Sequence, residues 1–136
     1  MVKLHLAESY CYPLLSYALE CFNFTSSHMQ QLSACWNSVY RKIFHYKPWT
    51  SVRELIYCLG RMNFEYLFYK KKFCFLHSLR GCKNIVVSSV IEVFVRSEQY
   101  IYAFANVKPC DNKDKITYCL RAKFTESIVS DMKVVQ

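Results

Sequence analysis

The residues of this chain best suited to covalent or metal chemistry are its 4 histidines (His5, His28, His45, His77) and its 8 cysteines. A catalytic thiolate needs a neighbouring base and a context that holds the two together. No Gly-rich or family-specific stretch surrounds any cysteine here. Structural zinc needs ligand pairs two to four residues apart. The cysteines stand at 11, 21, 35, 58, 74, 82, 110 and 119, and no two are closer than eight residues. Neither a Cys–His nucleophile nor a metal site follows, and no cofactor or small-molecule substrate is expected. Cys11, Cys21, Cys35, Cys58 and Cys74 lie within apolar helical patterns, where they read as small core residues of a reducing compartment.

The second chemistry is electrostatic. The net charge is +8, unevenly distributed. Residues 1–40 carry a net of −1, residues 41–83 a net of +8 and residues 84–136 a net of +1. Localised positive charge is the footprint of a polyanion partner, because phosphate contacts release condensed counterions. In the basic third, Arg41, Lys42 and Lys47 stand beside Tyr46 and Trp49. They read either as a phosphate patch with an aromatic platform for a base or sugar, or as dipole complementation with Trp49 closing the core. Arg53 and Arg61 are weaker candidates of the same kind. Lys70, Lys71 and Lys72 span nearly a full helical turn, so they cannot all face one groove; a solvated face is the alternative.

Helices must position these residues. With only 2 Gly and 3 Pro in 136 residues, the chain lacks the tight turns of a strand-rich sandwich. Leu6, Tyr10, Leu14, Tyr17 and Cys21 mark one face of a first helix over 3–22, which Pro13 should kink or split. Ser27 with Gln30 forms a capping box for a second helix, carrying Leu32, Trp36, Val39 and Ile43 and closed by Arg41 and Lys42. Lys47-Pro48-Trp49 predicts an extended linker. Ser51 with Glu54 opens a third helix that Gly60 caps. Asn63 caps a fourth from Phe64 to about Leu79, with Phe64, Leu67, Phe68 and Phe75 near one face. Val87, Val90, Ile91 and Phe94 fit a further helix, although β-branched residues over 85–95 also suit a buried strand. Residues 98–105 predict a short helix, and 106–136, of mixed charge and no firm period, a loose tail. No run approaches the ~18 apolar residues of a membrane span, and no N-terminal signal stands out. A soluble intracellular protein, nuclear or cytoplasmic and without membrane contact, is therefore expected.

Three stretches carry a resemblance: Tyr12-Pro13-Leu14-Leu15-Ser16-Tyr17-Ala18-Leu19-Glu20, Cys35-Trp36-Asn37-Ser38-Val39-Tyr40-Arg41-Lys42-Ile43-Phe44, and Ser51-Val52-Arg53-Glu54-Leu55-Ile56. Together they resemble the region after the polymerase palm in reverse transcriptases of LINE-type (non-LTR) retrotransposons, over about residues 3–80. In that family a helix with Pro, Leu, Tyr and Glu at this spacing precedes one ending in a basic-Lys-Ile-Phe motif. The region is the thumb with its following helices, which hold the RNA template and nascent DNA. Met1 then reads as an internal methionine of a longer ancestral frame.

The departures limit what is inherited. Reverse transcription uses two Mg²⁺ ions held by palm carboxylates. This chain has no Asp before Asp111, and Asp111, Asp114 and Asp131 lie outside any aromatic-x-Asp-Asp motif. The endonuclease domain and the Cys-and-His knuckle of many relatives are also missing. The expectation is an all-α, irregular bundle of four to five helices. It comprises a thumb-like domain over 1–83, a helical segment over 84–105 and a poorly ordered tail over 106–136. Its function would be non-catalytic binding of RNA or RNA/DNA hybrid. The alternative is a decayed mobile-element fragment that acts through apolar protein contacts, self-association included, or has no function.

Overall fold

The computed structural model describes residues 2–17, 19–22, 24–97, 102, 107–108 and 111–134. Every regular element among them is helical and none is a strand, so the fold class is all-α. The chain divides into two compact units, Met1–Phe68 and Tyr69–Gln136.

In the first unit, α1 (Val2–Leu6), a π-helical turn (Ala7–Cys11) and α2 (Tyr12–Leu15) follow without a break. Pro13 neither splits nor ends this stretch. It falls in the first turn of α2, where a missing N–H costs least. The wider turn before it takes up the register change, and Tyr12 N–H donates to the Ala7 carbonyl five residues back. A short 3₁₀ turn, Leu19–Cys21, follows.

The face of this segment is reversed from expectation. Leu4 and Ala7 are buried, and Tyr12 packs its ring 5.5 Å from Trp36 and 6.4 Å from Phe64. Leu6, Tyr10, Leu14 and Tyr17, the regular apolar row, are exposed, as is Cys21. The segment is apolar on two sides, and periodicity alone does not say which side meets the core.

Helix α3 (Ser26–Phe44) is the second predicted helix, with Trp36 and Tyr40 buried. Its cap is Thr25 rather than Ser27. Thr25 Oγ1 accepts from His28 N–H at 3.4 Å and lies 3.0 Å from His28 Nδ1. Beyond it, Lys47-Pro48-Trp49 is a turn and not an extended linker. Thr50 N–H donates to the Lys47 carbonyl at 3.1 Å, with proline at the position whose fixed φ favours such a turn. Helix α4 (Arg53–Cys58) starts after Val52, and Ser51 Oγ accepts from Arg53 N–H. Gly60, at φ +69°, closes it as predicted. Gly60 N–H donates to Tyr57 and Arg61 N–H to Ile56, the double bond of a left-handed cap.

Helix α5 (Phe64–Arg80) starts where Asn63 Oδ1 accepts from Tyr66 N–H at 3.2 Å. Phe64, Tyr66 and Phe68 are buried in the first unit, and Phe73 and Leu76 in the second. In the second unit, α6 (Ile85–Ser97) is a helix and not the alternative strand. Asn84 Oδ1 caps it, accepting from Val86 and Val87 N–H. Its inward face is Ile91 and Val95, while Val90 and Phe94 point outward. The short helix predicted over 98–105 lies, but for Tyr102, outside the described residues; Tyr102 is buried with its ring 4.8 Å from Phe73.

The predicted loose tail is corrected. Residues Lys113–Val134 form a 22-residue helix, α7. Asn112 Oδ1 caps it by accepting from Lys115 N–H at 2.8 Å, and Asp114 sits in the first turn, where the dipole favours a carboxylate. Ile116, Leu120, Phe124 and Ile128 are each at most 2 % exposed. They recur every four residues, a row that winds about 40° round the helix per step among mixed charges, so the period is easily lost by eye.

The cysteines are corrected too. Cys11, Cys21, Cys35 and Cys58 are exposed and Cys74 is half-buried; these five, with Cys82 and Cys119, are free thiols. They flank the buried rows and do not form them.

Candidate nucleic-acid interface

The candidate residues of the basic stretch begin at the end of α3. A helix end needs a left-handed residue to turn the chain, and this sequence offers no glycine there. His45 takes the role at φ 58° and ψ 33°, as histidine does more readily than most non-glycine residues. Both His45 and Tyr46 donate their N–H to the Arg41 carbonyl. The reversal turns the chain back over the last turn of α3, and Arg41 Nε–H donates to the Thr50 carbonyl at 2.9 Å. Arg41 thereby ties the turn to the helix.

The structure places the predicted residues in two neighbouring sets, Arg41, Lys42 and Tyr46 in one depression and Lys47 with Trp49 on the turn that follows. Ser38, Arg41, Lys42, His45, Tyr46 and Pro48 line an open depression of about 520 Å³. Trp49 is 78 % exposed and Tyr46 44 %, so the reading in which Trp49 closes the core is excluded. The Lys47 ammonium lies 5.7 Å from the Trp49 ring centroid, a cation–π contact within reach of solvent. Two exposed aromatic rings, two exposed lysines and a fixed guanidinium thus follow one another along the end of α3 and the turn after it. A ring with both cation and open face can stack on a base while the ammonium meets a phosphate. Ser38 and His45 are the members that charge and aromatic pattern missed. The signal for His45 is the lack of any glycine after Phe44.

The remaining candidates are placed elsewhere. Arg61 is committed to Glu8, with Nε and a terminal nitrogen on the two carboxylate oxygens at 2.7 and 3.0 Å. Arg53 is half-buried at the start of α4. Lys72 is 3 % exposed and corrects the reading of the lysine run as a surface feature. It stands four residues from Phe68 and four from Leu76, on the face those buried residues share. Lys70 and Lys71 are half-buried and belong to the second unit.

The Glu8–Arg61 pair stands at a second constellation. With Tyr12, Trp36, Tyr40, Met62 and Leu67 it lines a cavity of about 150 Å³, below the ~300 Å³ of small-molecule sites. The Tyr40 hydroxyl is pushed up to about 12, first by burial and then by the Glu8 charge, with Arg61 opposing. Among the described residues no three His, Cys, Asp or Glu side chains converge as metal ligands, and no helix is long and apolar enough to cross a membrane. No known family, curated protein or solved structure matches the chain.

Proposed function

We propose that this chain is a non-catalytic fragment of a LINE-type reverse transcriptase that binds single-stranded RNA or RNA/DNA hybrid through the end of α3. The observation that carries the reading is Trp49, a large ring held in solvent beside Lys47, one residue after the Pro48 that closes the depression lined by Lys42 and Tyr46. Burying such a ring is favourable, and leaving it open on a tied-down turn has a physical use when a base stacks on it. The three sequence motifs support the lineage, and the lack of a palm carboxylate set in the sequence supports binding without polymerisation.

The test is anisotropy of a labelled single-stranded RNA across a salt series. Lys42→Ala with Lys47→Ala is expected to flatten the slope of log K against log salt by about 1.4, at about 0.7 per phosphate contact. Arg41 stays in place because it ties the turn. Trp49→Ala is expected to weaken binding by about 1–3 kcal/mol with an unchanged melting temperature. Unchanged affinity and slope in both variants would leave a solvated helix end. The second reading, protein contact without nucleic acid, rests on the exposed apolar row of the N-terminal segment.

A further inference from the structure

The N-terminal segment buries one side and leaves another, equally apolar, open. Val2, Leu6, Tyr10, Leu14 and Tyr17 are 73, 48, 68, 80 and 82 % exposed. A helix that is hydrophobic on opposite sides is buried on both in its working state. We infer that this row is the interface of a homodimer, in which two copies pair their N-terminal helices antiparallel about Tyr10.

Three features favour a second copy over another occupant. The first is area. On the scale of about 150–250 Å² per aromatic side chain, the row leaves roughly 700 Å² open. That exceeds the ~300–600 Å² of a monomer's largest apolar patch and falls in the lower half of the ~600–1,000 Å² each partner contributes to a standard interface.

The second feature is symmetry. A two-fold interface requires that residue i meet j while j meets i. Leu6 and Leu14 stand four residues either side of Tyr10, so an antiparallel copy places Leu6 on the partner's Leu14 and Tyr10 on its counterpart. The π turn makes the row straight enough to do this. In an α-helix a step of four overshoots one turn by about 40°, and the row would wind off the contact. The wider turn over Ala7–Cys11 takes more residues per revolution, so a step of four no longer overshoots. Leu14 is returned toward the line of Val2 and Leu6.

The third feature is charge. The row itself holds no ionised group, and Ser9 and Pro13 beside its centre are uncharged. The one charge beside it, the exposed Lys3, meets Tyr17 of the other copy at the end of the contact, where its ammonium stays at the solvated rim against a ring. Glu8, the nearest carboxylate, is engaged by Arg61. Two copies therefore meet without burying an unpaired charge, while Tyr10 and Tyr17 bring apolar rings with hydroxyls free to reach the rim, as interface tyrosines do.

The test uses the full chain with reductant present, by sedimentation equilibrium from about 1 to 100 µM. The expected result is a monomer–dimer equilibrium that Tyr10→Glu with Leu14→Glu weakens at least roughly thirtyfold, the effect of losing a central anchor. Both positions are exposed in the monomer, so far-UV helicity and melting at low concentration are expected to stay as in the parent. Orientation is read with a photo-crosslinking phenylalanine at position 6 in a mixture of ¹⁴N and ¹⁵N chains. Intermolecular links to the peptide containing Leu14 support the pairing; links from position 6 to position 6 overturn it. A monomer at 100 µM, or a dimer that the double variant leaves intact, overturns the proposal. The latter result would pass the contact to the exposed Ile85, Val86, Val90 and Val93 of α6.

Discussion

Leu120 offers the sharpest test of the architecture, because its neighbourhood reads as tail in the sequence and as core in the structure. Its side chain is 0 % exposed, between Ile116 and Phe124 on the same row of α7. Leu120→Ala removes three carbons, about 2.4 kcal/mol of transfer free energy at ~0.8 per methylene. A cavity term adds to this, since large neighbours four residues away on either side relax only in part. About 3 kcal/mol in total is expected, within the ~2–5 range for buried leucines. For a chain of this length that lowers the melting temperature by about 10 °C. Tyr118→Ala, two residues away and 73 % exposed, serves as control and is expected within about 0.5 kcal/mol of the parent. Thermal melts followed by far-UV circular dichroism, with hydrogen exchange of the amides of residues 113–134, give both numbers. If Leu120→Ala matches the Tyr118→Ala control, or those amides exchange at free-peptide rates, α7 does not belong to the core.

Tyr40 sets an alkaline limit. Its folded pKa lies near 12 against an ordinary 10, so the folded state holds the proton more tightly than the unfolded one. The associated stability, on the order of 2–3 kcal/mol, is complete below pH 10 and is lost as pH rises toward 12. Tyr40→Phe is expected to flatten this part of the stability curve, measured by denaturant titration at stepped pH; an unchanged alkaline slope would show that another group is responsible. The Glu8–Arg61 pair has good bidentate geometry but part-exposed side chains, 24 and 44 %. A double-mutant cycle with Glu8→Gln and Arg61→Met is therefore expected to return no more than about 1 kcal/mol. A coupling of several kcal/mol would mean the pair is far drier than its exposure indicates.

Elements with one apolar side and a strong local signal were legible in the sequence. Asn63 and Gly60 are of this kind, because cap chemistry and helix bounds agree there; in α3 the helix and the burial of Trp36 were legible, its cap was not. The N-terminal segment shows where legibility ends. Its row through Leu6, Tyr10, Leu14 and Tyr17 is more regular than the buried set of Leu4, Ala7 and Tyr12, yet the irregular set meets the aromatics of α3 and α5. Ring shape decides that contact, and periodicity carries no record of shape. In α7 the converse holds: Asn112 and Asp114 are ordinary start signals, but four apolar residues every fourth position among charges leave only a narrow stripe. At the candidate site, the closeness of Lys42, Tyr46, Lys47 and Trp49 follows from their nearness in sequence. The helix reversal at His45 does not, because it depends on a non-glycine residue accepting a positive φ.

Nearness in sequence is also what made the basic third look like one feature, and the division of the chain changes that. Of its ten Lys and Arg residues, five fall in the first unit and five in the second. Counted over whole units, Met1–Phe68 holds six basic residues against four acidic and Tyr69–Gln136 twelve against six, net charges of +2 and +6. The unit with the exposed Trp49 is thus the less charged one. On the proposed function, stacking and most of the long-range attraction would therefore act from different units. Attraction falls with the logarithm of salt at about 0.7 per contact on a single strand, whereas stacking is insensitive to salt. If all three meet phosphates, Arg41, Lys42 and Lys47 together would account for a slope of about 2. On the proposed function, any steeper dependence would come from Lys3 or Arg53 or from lysines and arginines beyond residue 68, and it would survive the loss of Trp49.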